Sequence, residues 1–346
     1  MSEANSPESR ASSGPGIPAR SEGDKETKFA LGGRFRLAGS VADPPDRAVE
    51  IAAATHPDLD LTQADATSGG RELVPVGRAA LEAEPARRSD VDRWGRSESF
   101  RALLGRLYEP IYSKWFRVEW EGFEHLPDDG GALLVSNHAG AIPPDAPSIM
   151  HGIERDLGRP VYGLAENLFR KMPVVGTLWA RSGGVAAHPD NAYRLLHDEQ
   201  QLVLVFPEGT KGTGKVYSER YRLRRFGRGG FVEIAMRAGV PVVPIAVVGA
   251  EEAMPILFKP NALAKMINVP YFPITANMLV AGPLGLAAYF PAKFRIRVLP
   301  PVHFDVAPNQ ERYSRSRVMD EAERIRRLVQ DALYDMLRHR RSVWFG

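Results

Sequence analysis

No cysteine occurs anywhere in the 346 residues. That removes thiolate nucleophiles, thiolate metal sites and disulfides, and it suits a reducing compartment. Three signatures of catalysis or phosphate binding are missing as well: G-x-S-x-G, H-E-x-x-H and G-x-G-x-x-G. Aromatic residues are scarce at the amino end, where residues 1–90 hold two Phe and neither Tyr nor Trp. This stretch, rich in Ser, Pro, Gly, Ala, Arg and Glu, has too few large apolar groups to offset the entropy of ordering, and it reads as a disordered tail. It opens MSEANSPESRASSG, with no basic segment leading into an apolar run, so no secretory signal is expected.

What is present is ordinary in bulk: 44% hydrophobic and 25% charged residues, with 32 Gly and 28 Pro. Collagen-like, disulfide-stapled and wholly disordered chains are excluded. The net charge of +3 is unevenly spread, because residues 1–90 carry 11 basic and 15 acidic side chains while residues 91–346 carry a net +7. A basic domain of this kind suits phosphate-bearing partners, and charge alone does not choose among them.

Within residues 91–346, short apolar runs alternate with helical stretches. Strands are expected at 132–135, 161–164, 202–206, 242–248 and 294–299, and helices at 146–153, 191–201 and 231–238. Such alternation predicts a single α/β domain, a mostly parallel central sheet flanked by helices. Two amphipathic helices frame it, at 98–117 and 314–341. In the first, Phe100, Leu103, Leu104, Leu107, Tyr108, Ile111, Tyr112, Trp115 and Phe116 form one stripe, expected to be a core face, with membrane contact as the alternative. Residues 266–292 carry no charge over 27 positions, yet Pro270, Pro273, Pro283 and Pro291 oppose a spanning helix. A buried strand with loops, or an apolar ridge near a lipid-binding face, fits this stretch better.

Two polar clusters follow apolar strands. The first is Ser136-Asn137-His138-Ala139-Gly140-Ala141-Ile142-Pro143-Pro144-Asp145. The prolines prevent one continuous helix, and Pro suits a first helical turn, which predicts His138 at a strand end and Asp145 at the next helix start. An Asp that accepts from Nδ1 would leave Nε2 as a general base. A histidine and an aspartate with purely structural roles in a turn and a helix start would read the same way. The second cluster is Phe206-Pro207-Glu208-Gly209-Thr210, and two such clusters suit a site along one edge of an α/β sheet. Residues 209–215, Gly-Thr-Lys-Gly-Thr-Gly-Lys, approach a phosphate-binding P-loop, but Val216 stands where Ser or Thr would hold Mg²⁺. Lys215, Arg220, Arg222, Arg224, Arg225 and Arg228 then form a basic run with only Glu219 opposed.

Asn137-His138 with Asp145, FPEGT at 206–210 and the run VPVVPIA at 240–246 resemble the signature blocks of PlsC-type glycerolipid acyltransferases. Arg181-Ser-Gly-Gly-Val185 resembles the intermediate block of that family. The resemblance covers residues 100–300 and implies transfer of an acyl group from acyl-CoA or acyl carrier protein to a lipid hydroxyl at a membrane surface. It implies His138 and Asp145 as the catalytic pair and Arg181, Glu208, Gly209, Thr210 and Lys211 as substrate-binding residues. Neither a metal nor a cofactor beyond the acyl donor is expected, nor a nucleic acid partner. The expected location is the cytoplasm, peripherally on the inner face of the plasma membrane. Six residues separate His138 from Asp145 where the commonest pattern has four, a longer form similar to a mono- and diacylglycerol acyltransferase branch. Lys211-Gly212 stands where the family often has Arg-Ser. The remaining alternatives are a P-loop-like nucleotide-binding phosphotransferase using 209–215 and a lipid-binding relative without turnover.

Overall fold

A computed structural model describes residues 90–165, 173–266, 271–310 and 312–346. The expected tail at 1–90 lies outside the described residues, apart from Asp90. The Asp90 carboxylate accepts from Ser97 Oγ at 2.6 Å and from the backbone N–H of Ser99 at 3.0 Å. Those hydroxyl and amide donors lower its pKa to about 2.

In chain order the main elements are α1 (Glu98–Pro110), β1 (Glu119–Glu121), β2 (Ala132–Ser136), α2 (Asp145–Asp156), β3 (Val161–Ala165), α3 (Pro173–Arg181) and β4 (Gly184–Ala186). There follow β5 (Leu202–Val205), α4 (Gly230–Ala238), β6 (Val242–Val248), β7 (Ile256–Phe258), β8 (Ile274–Thr275), β9 (Arg295–Val298) and α5 (Arg315–Arg338). Seven strands form one sheet in the order β1-β9-β6-β2-β5-β3-β4, and β7 pairs with β8 separately. β2 through β6 run parallel, β9 lies antiparallel to β6, and β1 is parallel to β9. This is the mostly parallel α/β architecture expected from the alternating runs.

The centre of the sheet is covered on both faces, which is why β2 and β6 are continuous apolar runs with every residue buried. Successive side chains point to opposite sides. Leu134 packs with Phe116, Ile149 and Phe294 in one layer, and Leu133 with Leu196, Met236 and Ile325 in the other. α5 buries Val318, Ala322, Ile325, Val329, Leu333 and Met336 along a single stripe, as its spacing predicts.

Three expectations are corrected. The helix expected over 98–117 is α-helical only to Pro110; it continues as a π-wound turn over Ile111–Trp115, closed by the Phe116 N–H on the Ile111 carbonyl at 2.8 Å. Pro110 has no N–H for a regular ladder, and one extra residue per turn follows it. Its stripe is not simply a core face: Tyr112 and Phe116 are buried, whereas Leu103, Leu107, Ile111 and Trp115 are exposed. The helix expected over 191–201 is a short α-helix at Pro189–Tyr193 followed by a π-wound turn at Arg194–Asp198. In the uncharged stretch, the described residues form β8, a helical turn at Ala276–Ala281 and a 3-10 segment at Gly282–Ala287. There Leu279, Val280 and Leu284 stand about three-quarters exposed, an apolar ridge. Among the described residues no helix is long and apolar enough to cross a membrane.

Candidate active site at the carboxyl edge of the sheet

β2 lies between β5 and β6, and the chain leaves all three at the same edge. Beyond Ser136, Asn137 extends the pairing with its side chain: Nδ2 donates to the Val247 carbonyl at 3.0 Å and Oδ1 accepts the Val247 N–H at 2.8 Å. The backbone is thereby held on β6 up to the residue before His138.

Asp145 is the first residue of α2 and is fully buried. Its Oδ2 accepts the Ala139 N–H at 2.9 Å and its Oδ1 accepts the Ala146 N–H at 2.7 Å. His138 Nδ1 stands 3.1 and 3.0 Å from the two carboxylate oxygens. Two backbone amides thus fix both carboxylate oxygens at the start of the helix. Such an acceptor selects the tautomer with the proton on Nδ1. Nε2 then keeps its lone pair, and it makes no hydrogen bond among the described residues, while the side chain is 15% exposed. One face of the imidazole lies on Phe206, with ring centroids 4.0 Å apart and planes 18° from parallel. The Tyr289 phenol sits close enough to feel the Asp145 charge; burial first, and that charge second, raise its pKa to about 12, so it stays protonated.

The segment after β5 closes on the same residue. Glu208 is buried; its Oε1 accepts the His138 N–H at 3.3 Å and its Oε2 the Arg224 N–H at 2.7 Å. Gly212 packs so closely that an added Cβ would lie 2.8 Å from Glu208 Cβ and 3.1 Å from His138 Cβ. The glycine that stands in place of a serine is therefore required by the approach of two backbones. Thr210 and Lys211 are exposed, and Gly209, at φ 55°, makes the turn that leads to them.

Two further residues singled out in the sequence have these places. Arg181 ends α3 three residues before β4 begins, with its carbonyl taken by the Ser97 N–H. Its backbone thus stands before the amino end of β4. Lys215 is no phosphate-binding lysine: its buried Nζ lies 3.1 Å from Glu251 Oε1 and 3.5 Å from Glu208 Oε2. With both carboxylates against it the ammonium has no open side for a triphosphate, and the P-loop reading is set aside. Burial raises the Glu251 carboxyl to about 7, although Lys215 acts to lower it. Reasoning from sequence missed Glu251, Lys215 as its partner, and the stacking of Phe206. A buried acid just past the end of β6 was the available signal, and nothing in the spacing links it to Lys215. Among the described residues no group of three His, Asp or Glu side chains converges to hold a metal.

The profile of the family described as Acyltransferase matches residues 117–248, a span that contains both clusters. An uncharacterized protein of Mycobacterium tuberculosis is 36% identical over 320 residues, covering 88% of this chain and 89% of the relative. The chain belongs to the PlsC-type acyltransferase family. A Bos taurus protein named as a DGAT1/2-independent enzyme synthesizing storage lipids is 22% identical over 252 residues, 70% of this chain and 71% of the relative. A Brassica napus 1-acyl-sn-glycerol-3-phosphate acyltransferase of the chloroplast is 29% identical over 175 residues, 47% and 46% of the two chains. The protein is thus an acyltransferase enzyme of lipid biosynthesis.

Proposed function

We propose that this acyltransferase moves a fatty acyl group from a thioester donor, acyl-CoA or acyl carrier protein, to a hydroxyl of a glycerolipid acceptor at a membrane surface. The observation that carries this reading is the His138–Asp145 pair at 3.0 Å, with Nε2 unengaged at the carboxyl edge of the sheet. Nε2 takes the acceptor's hydroxyl proton as that oxygen attacks the thioester carbonyl. The tetrahedral intermediate collapses, the carbon–sulfur bond breaks, and the imidazolium returns the proton to the leaving thiolate. Asp145 holds the ring and balances its charge through the cycle. A base so placed contributes roughly 10² to 10⁴ in rate. Since the acceptor oxygen is the nucleophile, a chain without cysteine needs no acyl-enzyme.

Thr210 and Lys211 stand exposed beside the turn at Gly209 and would meet the polar end of the acceptor, while Glu208 acts through the His138 backbone. Relatives named for storage-lipid synthesis and for acylating 1-acyl-sn-glycerol 3-phosphate support a glycerolipid acceptor. The support for membrane contact is apolar: Leu103, Leu107, Ile111 and Trp115 lie exposed on one stretch and Leu279, Val280 and Leu284 on another. Trp115 Nε1 donates to the Tyr289 carbonyl at 3.0 Å and ties the first stretch to the chain that follows the second. The net +7 of residues 91–346 suits the anionic inner face of the plasma membrane, approached from the cytoplasm.

The test is incubation of the purified chain with radiolabelled acyl-CoA and a panel of lysolipids, mono- and diacylglycerols. Acyl transfer to at least one acceptor, abolished in His138→Ala with the fold retained, is the expected outcome. Full activity of that variant would remove the site assignment, and no labelled lipid with any acceptor or with acyl carrier protein as donor would remove the function.

A further inference from the structure

Buried charge does not stop at Lys215. Beyond it, Glu251 Oε1 accepts the Tyr221 N–H at 3.0 Å, the Tyr221 hydroxyl bonds Glu252 Oε2, and Arg340 Nη1 donates to Glu252 Oε1 at 2.8 Å. The Arg340 side chain is 5% exposed, and its Nε is buried without a hydrogen-bond partner. Tyr221, Glu252 and Arg340 form one wall of a cavity of about 490 Å³, whose other lining includes Arg220, Arg222, Arg341 and Tyr334. Neither His138 nor any residue of 206–211 lines it.

The electrostatics of this cavity are one-sided. Four arginines face one carboxylate, Glu252, and that carboxylate is already occupied by Arg340 and Tyr221. Arg222 and Arg341 form no ion pair among the described residues. Arg220 is held in place by stacking over the Tyr217 ring at 4.4 Å and by donating to the Tyr217 carbonyl at 3.1 Å. Gathering like charges around one concavity raises the energy of the empty site, and an anion relieves it. Guanidinium forks match phosphate oxygens in pairs, which carboxylate-poor surroundings leave free to act. Tyr334 and Leu337 add an aromatic and an apolar surface beside the charges. The volume falls in the range of small-molecule sites, roughly 300–1,000 Å³.

We infer that the cavity between residues 218–222 and 334–343 is a binding site for a phosphate ester, with Arg222 and Arg341 as its free cationic ligands. The proposed acyl transfer brings two such esters to the protein, the nucleotide phosphates of a CoA donor and the headgroup of an anionic lipid. The choice of these two ligands rests on that reading, whereas the site itself does not.

The test has two arms on the full chain. In one, calorimetry measures binding of adenosine 3′,5′-bisphosphate. In the other, flotation measures binding to phosphatidylcholine vesicles with and without phosphatidic acid. Each is repeated for the double variant Arg222→Ala/Arg341→Ala and for Arg338→Ala, an exposed arginine of α5 that does not line the cavity. Since Arg222 and Arg341 are exposed, the variant is expected to fold, which its thermal midpoint checks. The expected result is binding in at least one arm, weakened about tenfold per arginine removed and unchanged in Arg338→Ala. Loss in the nucleotide arm assigns the site to the donor, and loss in the phosphatidic acid arm assigns it to a lipid headgroup. Binding in neither arm, or equal binding by the double variant in both, overturns the inference. Because both readouts are independent of turnover, arginine-dependent binding by a protein that acylates nothing would leave the site standing and remove only the proposed function.

Discussion

Asn137 and Val247 exchange two hydrogen bonds, at 3.0 and 2.8 Å, across the ends of β2 and β6. The amide does there what one more residue of backbone pairing would do, and it is fully buried. Asn137→Ala leaves the Val247 N–H and carbonyl without partners, and each buried group so orphaned costs about 1–3 kcal/mol. Urea unfolding should show the drop in midpoint, together with lost activity as His138 is released. A variant as stable as the parent would show that water replaces the amide.

The His138–Asp145 pair predicts unequal effects. His138→Ala removes the base and should lower kcat by roughly 10² to 10⁴ with little change in unfolding midpoint. Asp145→Ala should lower both, because the N–H groups of Ala139 and Ala146 lose their acceptor as well. Comparing activity and thermal midpoint for the two variants checks this. Equal stability of both would mean that the carboxylate does not organise the loop.

Gly212→Ala tests the close approach of the two strand-end segments. An added Cβ at 2.8 Å from Glu208 and 3.1 Å from His138 must push one of them aside. Activity is expected to fall at least tenfold while Gly230→Ala, where a Cβ meets open space, changes little. Normal turnover by Gly212→Ala would mean that His138 tolerates the displacement.

Lys215→Met leaves Glu208 and Glu251 buried without their cation. Breaking a buried pair from one side costs about 3–5 kcal/mol, and adding Glu251→Gln should return part of it. Unfolding of the single and double variants measures this coupling. Additive losses would show that Lys215 and Glu251 do not interact.

Glu251 also predicts a pH dependence. Its carboxyl is raised from 4.5 to about 7 by burial, so between those values the folded protein holds a proton that the unfolded chain has released. Stability therefore carries a component that falls as pH rises from about 4.5 to 7. In Glu251→Gln the decline of thermal midpoint over that window should be shallower than in the parent. An equal or steeper decline in the variant would place the titration elsewhere.

β6 was legible residue for residue, because a seven-residue apolar run between Pro241 and Gly249 can only be a strand buried on both faces. β1 and β4 were not, being three residues each, and β1 carries Glu119 and Glu121 at a sheet edge where packing sets no pattern. His138 and Glu208 could be placed because they follow apolar strands by two and three residues, so the local chain fixes their edge of the sheet, and Asp145 because Pro143-Pro144 mark the start of the next helix. Arg181 could not be placed in the same way, because the strand after it, Gly184–Ala186, is too short to show an apolar run. Lys215 looked like a phosphate ligand because its carboxylate neighbour Glu251 lies far along the chain, and only the closing of β6 beside β2 brings the two together.

Arg117, at φ 46°, spends one guanidinium on four carbonyls, those of Lys114, Trp115, Pro291 and Trp344. One side chain thus rivets the end of the amino-terminal helical stretch, the loop after the apolar ridge and the exposed Trp344-Phe345 pair. If this surface is what meets lipid, it does so as a stiff plate rather than as a set of independent fingers. Arg117→Ala would uncouple those three segments mechanically. A bilayer would then be gripped piecemeal, with faster release from vesicles and no change in the chemistry at His138.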